Sequence, residues 1–309
     1  MKLARVFLVA SLFAGMFVLP MAVRATDNDG PDDCLKAHED WGDAPEHVLA
    51  YPGVIGHFPT CSAPSAPGTQ TFACTPISTP PGPTGFVKHL SPAGGGAYFL
   101  GCYPTAAGFE GIDTETDGKI NQPSVGWSLC LPGATTDCVE TAFGLTFDQD
   151  ECYGDGSDAG LISPPVFAPC VPATVTFNMT SCAIPRQAFL NILIDMNEDG
   201  DWNDNFQCPS GACAYEWAVK NAPIFLTSPC GPVTSPSFLV GPRSPNGRGW
   251  MRITVSDTPV NDDFPWAGSA TLPGAQLLFG ETEDYPVTIQ SSTPATPNSW
   301  GRLKKIYRD

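Results

Sequence analysis

Apolar and polar side chains alternate cleanly in two parts of this chain. Val175, Phe177 and Met179 interleave with Thr174, Thr176 and Asn178, and Met251, Ile253 and Val255 interleave with Arg252 and Thr254. A period of two is the signature of a half-buried strand. Residues 189–196 form a nearly unbroken apolar run, which predicts a central strand feeding straight into the acidic loop that follows. Further strands are expected at 214–219, 224–226, 237–240 and 285–290. Six or seven short strands in residues 164–290, with Pro and Gly turns between them, suit an antiparallel β-sandwich, Ig-like or jelly-roll-like. Few segments show a helical period.

Composition supports an all-β reading. Gly and Pro together make up 64 of 309 residues, and Asp, Glu, Lys and Arg only 15%. Proline breaks helix interiors and glycine weakens them. Residues 26–163 are rich in Cys, Pro and Gly and are expected to form a loop-rich, disulfide-stapled N-terminal part. Residues 291–309 open with SSTPATPNS, which is linker composition, and end in a basic GRLKKIYRD tail too short and polar to span a membrane.

The first 25 residues combine a basic start with an apolar run ending at Val23-Arg24-Ala25, as in an export signal cleaved near Ala25. Cleavage removes three of fifteen basic residues and no acid. Twelve then face thirty-two acidic residues, a formal charge of −20. This balance argues against nucleic acid or an anionic membrane as partner. All twelve cysteines lie beyond residue 25, and an even count in an exported chain reads as up to six disulfides. No C-x-x-C pair supports zinc. The closest spacing, Cys208 to Cys213, suits a small disulfide-closed loop.

The densest chemistry is DMNEDGDWNDN, residues 195–205. Oxygen-bearing side chains at Asp195, Asn197, Asp199, Asp201 and Asp204 surround Gly200, the arrangement a chain needs to wrap a hard cation such as Ca²⁺. An EF-hand loop would carry a bidentate Glu at its twelfth position. Here that position is Phe206, so the missing carboxylate must come from elsewhere. The acidic box GETEDY offers Glu281, Glu283 and Asp284, on the expectation that both boxes lie at strand ends of one pole. The competing reading is a network of Asx turns in which short acids accept backbone N–H bonds without a metal.

Three stretches in order, DWGDAPE at 40–46, IDMNEDGDWND at 194–204 and GETEDYPVTI at 280–289, resemble the motifs of bacterial extracellular proteins that carry a GEVED domain. The resemblance implies a secreted or surface-displayed β-sandwich of adhesin-like or matrix-associated type, with no established enzymatic activity. Its partner would be a cell-surface or matrix component, polysaccharides included. Thr282 replaces the valine of the family box, and the cysteine content is high, which suits a stand-alone stapled protein.

Two other functions compete with this one. Seven tryptophans, among them Trp202, Trp217, Trp250 and Trp266, could offer stacking platforms to a carbohydrate. A secreted glycoside hydrolase needs an isolated carboxylate pair. The acids here are too many and too regularly placed around glycines for that. His38, His47, His57 and His89 form no H-E-x-x-H, and no G-x-S-x-G is present. A non-catalytic protein is therefore expected.

Overall fold

A computed structural model describes residues 38–42, 44–58, 68–74, 88–91, 98–101, 160–161, 165–181, 186–226, 230–242, 246–261, 277 and 279–290. Residues 1–25, where an export signal is expected, the basic tail, Asp43 and Trp266 lie outside these residues. Within the described residues the chain is all-β, with no helix.

The described residues form sixteen strands. The N-terminal five are β1 (His38–Trp41), β2 (Glu46–Tyr51), β3 (Val54–His57), β4 (Lys88–Ser91) and β5 (Tyr98–Leu100). Then come β6 (Val166–Phe167), β7 (Pro172–Ala173), β8 (Thr176–Ser181), β9 (Arg186–Ile194), β10 (Asn205–Gln207) and β11 (Cys213–Tyr215). The last are β12 (Trp217–Leu226), β13 (Cys230–Thr234), β14 (Phe238–Leu239), β15 (Arg248–Ser256) and β16 (Gly280–Ile289).

The largest sheet runs β12-β9-β15-β16-β6, and a second runs β13-β8-β5. Their facing side chains make one apolar core. Phe177 and Met179 of β8 meet Leu190, Ile192 and Ile194 of β9, Met251, Ile253 and Val255 of β15, and Tyr285, Val287 and Ile289 of β16. The alternation read from the sequence is what aims these residues inward. The opposite face of the large sheet is covered as well. Leu193, Trp217 and Trp250 pack there against Ala44, Ala50, Tyr51, Phe58 and Trp202. A sheet buried on both faces explains why 189–196 reads as a continuous apolar run.

Described parts of residues 26–163 thus share both cores with residues 164–290. β5 pairs with β8, and the Tyr51 hydroxyl accepts a hydrogen bond from the Trp250 backbone N–H at 3.0 Å.

Several local expectations are corrected. The sheet is mixed, because β6 joins β16 in parallel while the other strand pairs are antiparallel. The strand expected over 214–219 is broken at Glu216 into β11 and β12. The last strand starts at Gly280 and not at Tyr285, so the GETEDY box lies inside it.

The small Cys208–Cys213 loop does not form. Cys213 bonds to Cys74 and Cys208 to Cys170. The reason is register: Gln207 of β10 stands opposite Cys213 of β11, so the neighbouring Cys208 points to the other face of the ribbon. Cys230 is also disulfide-bonded.

Candidate metal site

β9 delivers the chain from the double-faced core straight into the acidic loop. Asp195, the first residue of that loop, is fully buried and organises the turn. Its Oδ1 accepts the N–H groups of Asn197 and Glu198, at 3.1 and 2.8 Å, and Oδ2 accepts that of Gly200 at 2.9 Å. The Tyr51 hydroxyl donates to the same carboxylate. This is the Asx-turn network, and it recurs along the loop: Asn197 Oδ1 accepts the Asp199 N–H at 3.3 Å and Asp201 Oδ1 the Asn203 N–H at 3.0 Å. To close so tightly the backbone enters the left-handed region at Glu198 (φ 61°) and Gly200 (φ 89°). A side chain at Gly200 would also collide with the Ile55 carbonyl, and the Gly200 carbonyl accepts the His57 N–H at 2.7 Å. Glu198 clamps the outer side of the turn by accepting from the N–H groups of Asn246 and Arg248, at 2.8 and 3.0 Å.

The remaining acids of the loop converge. One carboxylate oxygen each from Asp199, Asp201 and Asp204 lies within 4.8 Å of the others. Asn197 Nδ2 donates to Asp199 and Asp204, at 2.8 and 2.6 Å, and so stands between two carboxylates. Asp199 Oδ1, Asp201 Oδ2 and both polar side-chain atoms of Asn203 are buried without a hydrogen-bond partner. Asp201 is only 1% exposed. Buried polar atoms left unpaired are rare and costly. Among the described residues, none of the three carboxylates has a Lys or Arg ion-pair partner.

Electrostatics follow from this crowding. Burial, and then the nearby charges of Asp199, Asp204 and Asp195, pushes Asp201 up to about 8. Burial and the charge of Asp199 lift Asp195 to about 8. Asp204 rises to about 7, mainly by burial, and Asp199 is raised for the same reason. Without a cation, such a cluster holds protons near neutrality. A hard divalent ion would relieve the same repulsion, and an all-oxygen donor set matches Ca²⁺.

One carboxylate was missed by sequence reasoning. Glu216 is fully buried at the break between β11 and β12. Its Oε1 accepts the Met196 N–H at 2.8 Å, and Oε2 accepts the Asp204 N–H at 2.9 Å. It thus ties the two ends of the acidic loop together. Burial, then the charges of Asp195, Asp204, Asp201 and Asp199, raises its pKa well above the usual range. A single acid between Tyr215 and Trp217, in a segment otherwise read as strand, was the available signal.

The residues of the GETEDY box do not join this cluster. Successive residues of a strand face opposite ways, so the box's acids are divided between the two faces of β16. Glu281 Oε2 accepts the Leu100 N–H on the side of the main core. Glu283, buried at 4% exposure, shares that side by alternation. Asp284 faces the other core, where both its oxygens engage Arg252, at 2.7 and 2.5 Å, and Oδ2 also accepts the Ala44 N–H at 2.7 Å. The expectation that Glu281, Glu283 or Asp284 supplies the carboxylate missing at Phe206 is therefore not met.

The three boxes nevertheless meet, at Arg252. Its guanidinium pairs with Asp284 of the third box and lies over the Trp202 ring of the second, 4.7 Å from the centroid. Gly42 of the first box leaves no room for a side chain beside the same guanidinium. Comparison with known proteins finds no matching family model, no matching characterised protein and no matching solved structure.

Proposed function

We propose that this chain is an exported, non-catalytic binding or structural protein of the GEVED type, stabilised by Ca²⁺ held in residues 195–204. It acts at the cell surface or in the extracellular medium, on a surface or matrix component. The observation that carries the reading is the convergence of Asp199, Asp201 and Asp204, with Asp199 Oδ1 and Asp201 Oδ2 buried and without a hydrogen-bond partner. The disulfides support an oxidising compartment. Among the described residues, no helix is long and apolar enough to cross a membrane. The order of the three boxes, and their meeting at Arg252, supports the family assignment.

Ca²⁺ is assigned to Asp199, Asp201 and Asp204, with Asn197 bridging Asp199 and Asp204 through Nδ2 and Asp195 shaping the turn. The ion would bind the folded state only, and so stabilise it by mass action. Three of the four tryptophans considered as carbohydrate platforms, Trp202, Trp217 and Trp250, are at most 4% exposed and belong to the second core, while Trp266 lies outside the described residues.

The test is a pair of assays on the protein lacking its first 25 residues. Binding to a panel of matrix polysaccharides and surface proteins, dependent on Ca²⁺, is expected, without turnover of model glycosides or peptides. Hydrolysis that survives in an Asp199→Ala variant would replace this reading with an enzyme.

A further inference from the structure

Residues 68–74 run across the acidic loop, although they come from far upstream of it. The Thr71 N–H donates to Asp204 Oδ1 across a separation of 133 residues. Thr71 and Ala73 exchange backbone hydrogen bonds with Asn205, at 3.0 and 3.2 Å, and the Cys74 N–H donates to Asn205 Oδ1 at 2.7 Å. Gly68 sits so close to Asp201 that a β-carbon there would collide with its carboxylate. That carboxylate is the one with an unpartnered, buried Oδ2. The strap therefore forms a wall of the focus where the acids converge.

Little apolar packing holds this wall in place. Residues 69–73 are exposed, Phe72 included at 43%. Its attachment includes hydrogen bonds from its main chain to the backbone and side chains of the loop, which water contests, and one covalent link. Cys74 at its end is bonded to Cys213 at the start of β11, with Cα atoms 6.1 Å apart. β11 in turn leads to Glu216, which anchors both ends of the acidic loop. A covalent tie over so long a separation greatly limits the conformations open to an exposed segment.

We infer that the cation site is bipartite: strap 68–74 is its second half, and the Cys74–Cys213 disulfide keeps it closed, so Ca²⁺ affinity depends on that bond. The inference rests on the cation reading proposed above and adds a control element to it. By linkage, Ca²⁺ also holds the strap down.

The test uses the oxidised full-length secreted chain, titrated calorimetrically with Ca²⁺ beside Cys74→Ser/Cys213→Ser and Gly68→Ala variants. Both variants are expected to bind Ca²⁺ at least about tenfold more weakly, a loss of about 1.4 kcal/mol. In the unaltered protein, Ca²⁺ is expected to slow amide exchange in peptides covering 68–74 by a similar factor. Unchanged affinity in a folded variant, or unchanged exchange in the strap, would overturn the bipartite site while leaving the cation reading intact. Absence of any binding by the unaltered protein would remove both. If the double cysteine variant does not fold, Gly68→Ala and the exchange measurement decide.

Discussion

The Arg252 guanidinium and the Asp284 carboxylate form a fully buried ion pair, 2.5 Å apart, beneath the ring of Trp202. Arg252 on β15 and Asp284 on β16 are direct cross-strand partners, so backbone register sets the pair before any side chain moves. The Ala44 N–H also donates to Asp284, and Gly42 leaves space for the guanidinium. Breaking a buried pair strands a charge in low dielectric, whereas replacing both partners with apolar groups does not.

Arg252→Met is therefore expected to lower unfolding free energy by about 3–5 kcal/mol. The double variant Arg252→Met/Asp284→Leu should recover most of that loss. Urea denaturation followed by tryptophan fluorescence measures both, since Trp202 and Trp250 lie in this core. Equal losses in the single and double variants would show that packing, and not charge, dominates here.

Glu216 offers a second prediction. Replacing it with Ala leaves the Met196 and Asp204 N–H groups buried without acceptors. Each orphaned donor costs about 1–3 kcal/mol, partly offset by relief of repulsion from four nearby acids. The expected result is a net loss of stability together with weaker Ca²⁺ binding. Glu216→Gln, which keeps one acceptor, should fall between. A variant as stable as the unaltered protein, with undiminished Ca²⁺ binding, would remove Glu216 from the account.

pH dependence follows from the same acids. In the Ca²⁺-free fold, Asp195 and Asp201 are raised to about 8 and Asp204 to about 7. An unfolded Asp titrates near about 3.9. Between those limits the folded state holds more protons than the unfolded state, so these groups make stability fall as pH rises from about 4 to about 8. Ca²⁺ competes with those protons, and its stabilising effect should grow over the same interval. Melting temperatures at pH 5 and pH 8, with chelator and with Ca²⁺, test both signs. His89 acts oppositely: burial, and then the charge of Arg252, lowers it to about 3. Below about pH 6.5 the unfolded state gains protons that buried His89 refuses, and stability is lost there as pH falls.

Much of the acidic loop was legible because its pattern is local. Oxygens at alternate positions around Gly200 dictate the turn wherever the loop is placed, and Asp199, Asp201 and Asp204 converge as that spacing requires. What completes the site is non-local. Glu216 reaches it across a strand break, and Gly68 and Thr71 come from a segment whose Pro-rich neighbourhood signals only turns. The GETEDY box misled because a dense run of acids reads as a solvated strand end. Its residues are instead dispersed over two buried faces, which a period-two count starting at Gly280 would have suggested. The strands at 174–179 and 250–256 were found for the same reason that they form: alternation aims one face at the core. Disulfide pairing was decided by which face of the β10–β11 ribbon each cysteine occupies, and spacing alone carries no such information.

The most direct measurement is calorimetric titration of Ca²⁺ into chelator-stripped protein, alongside Asp199→Ala and Asp201→Ala. The account requires saturable binding by the unaltered chain, a raised melting temperature, and loss of both in the two variants while their strands stay folded. No heat and no thermal shift at about millimolar Ca²⁺, the weak end of extracellular calcium sites, would contradict it and leave the loop as hydrogen-bonded turns alone.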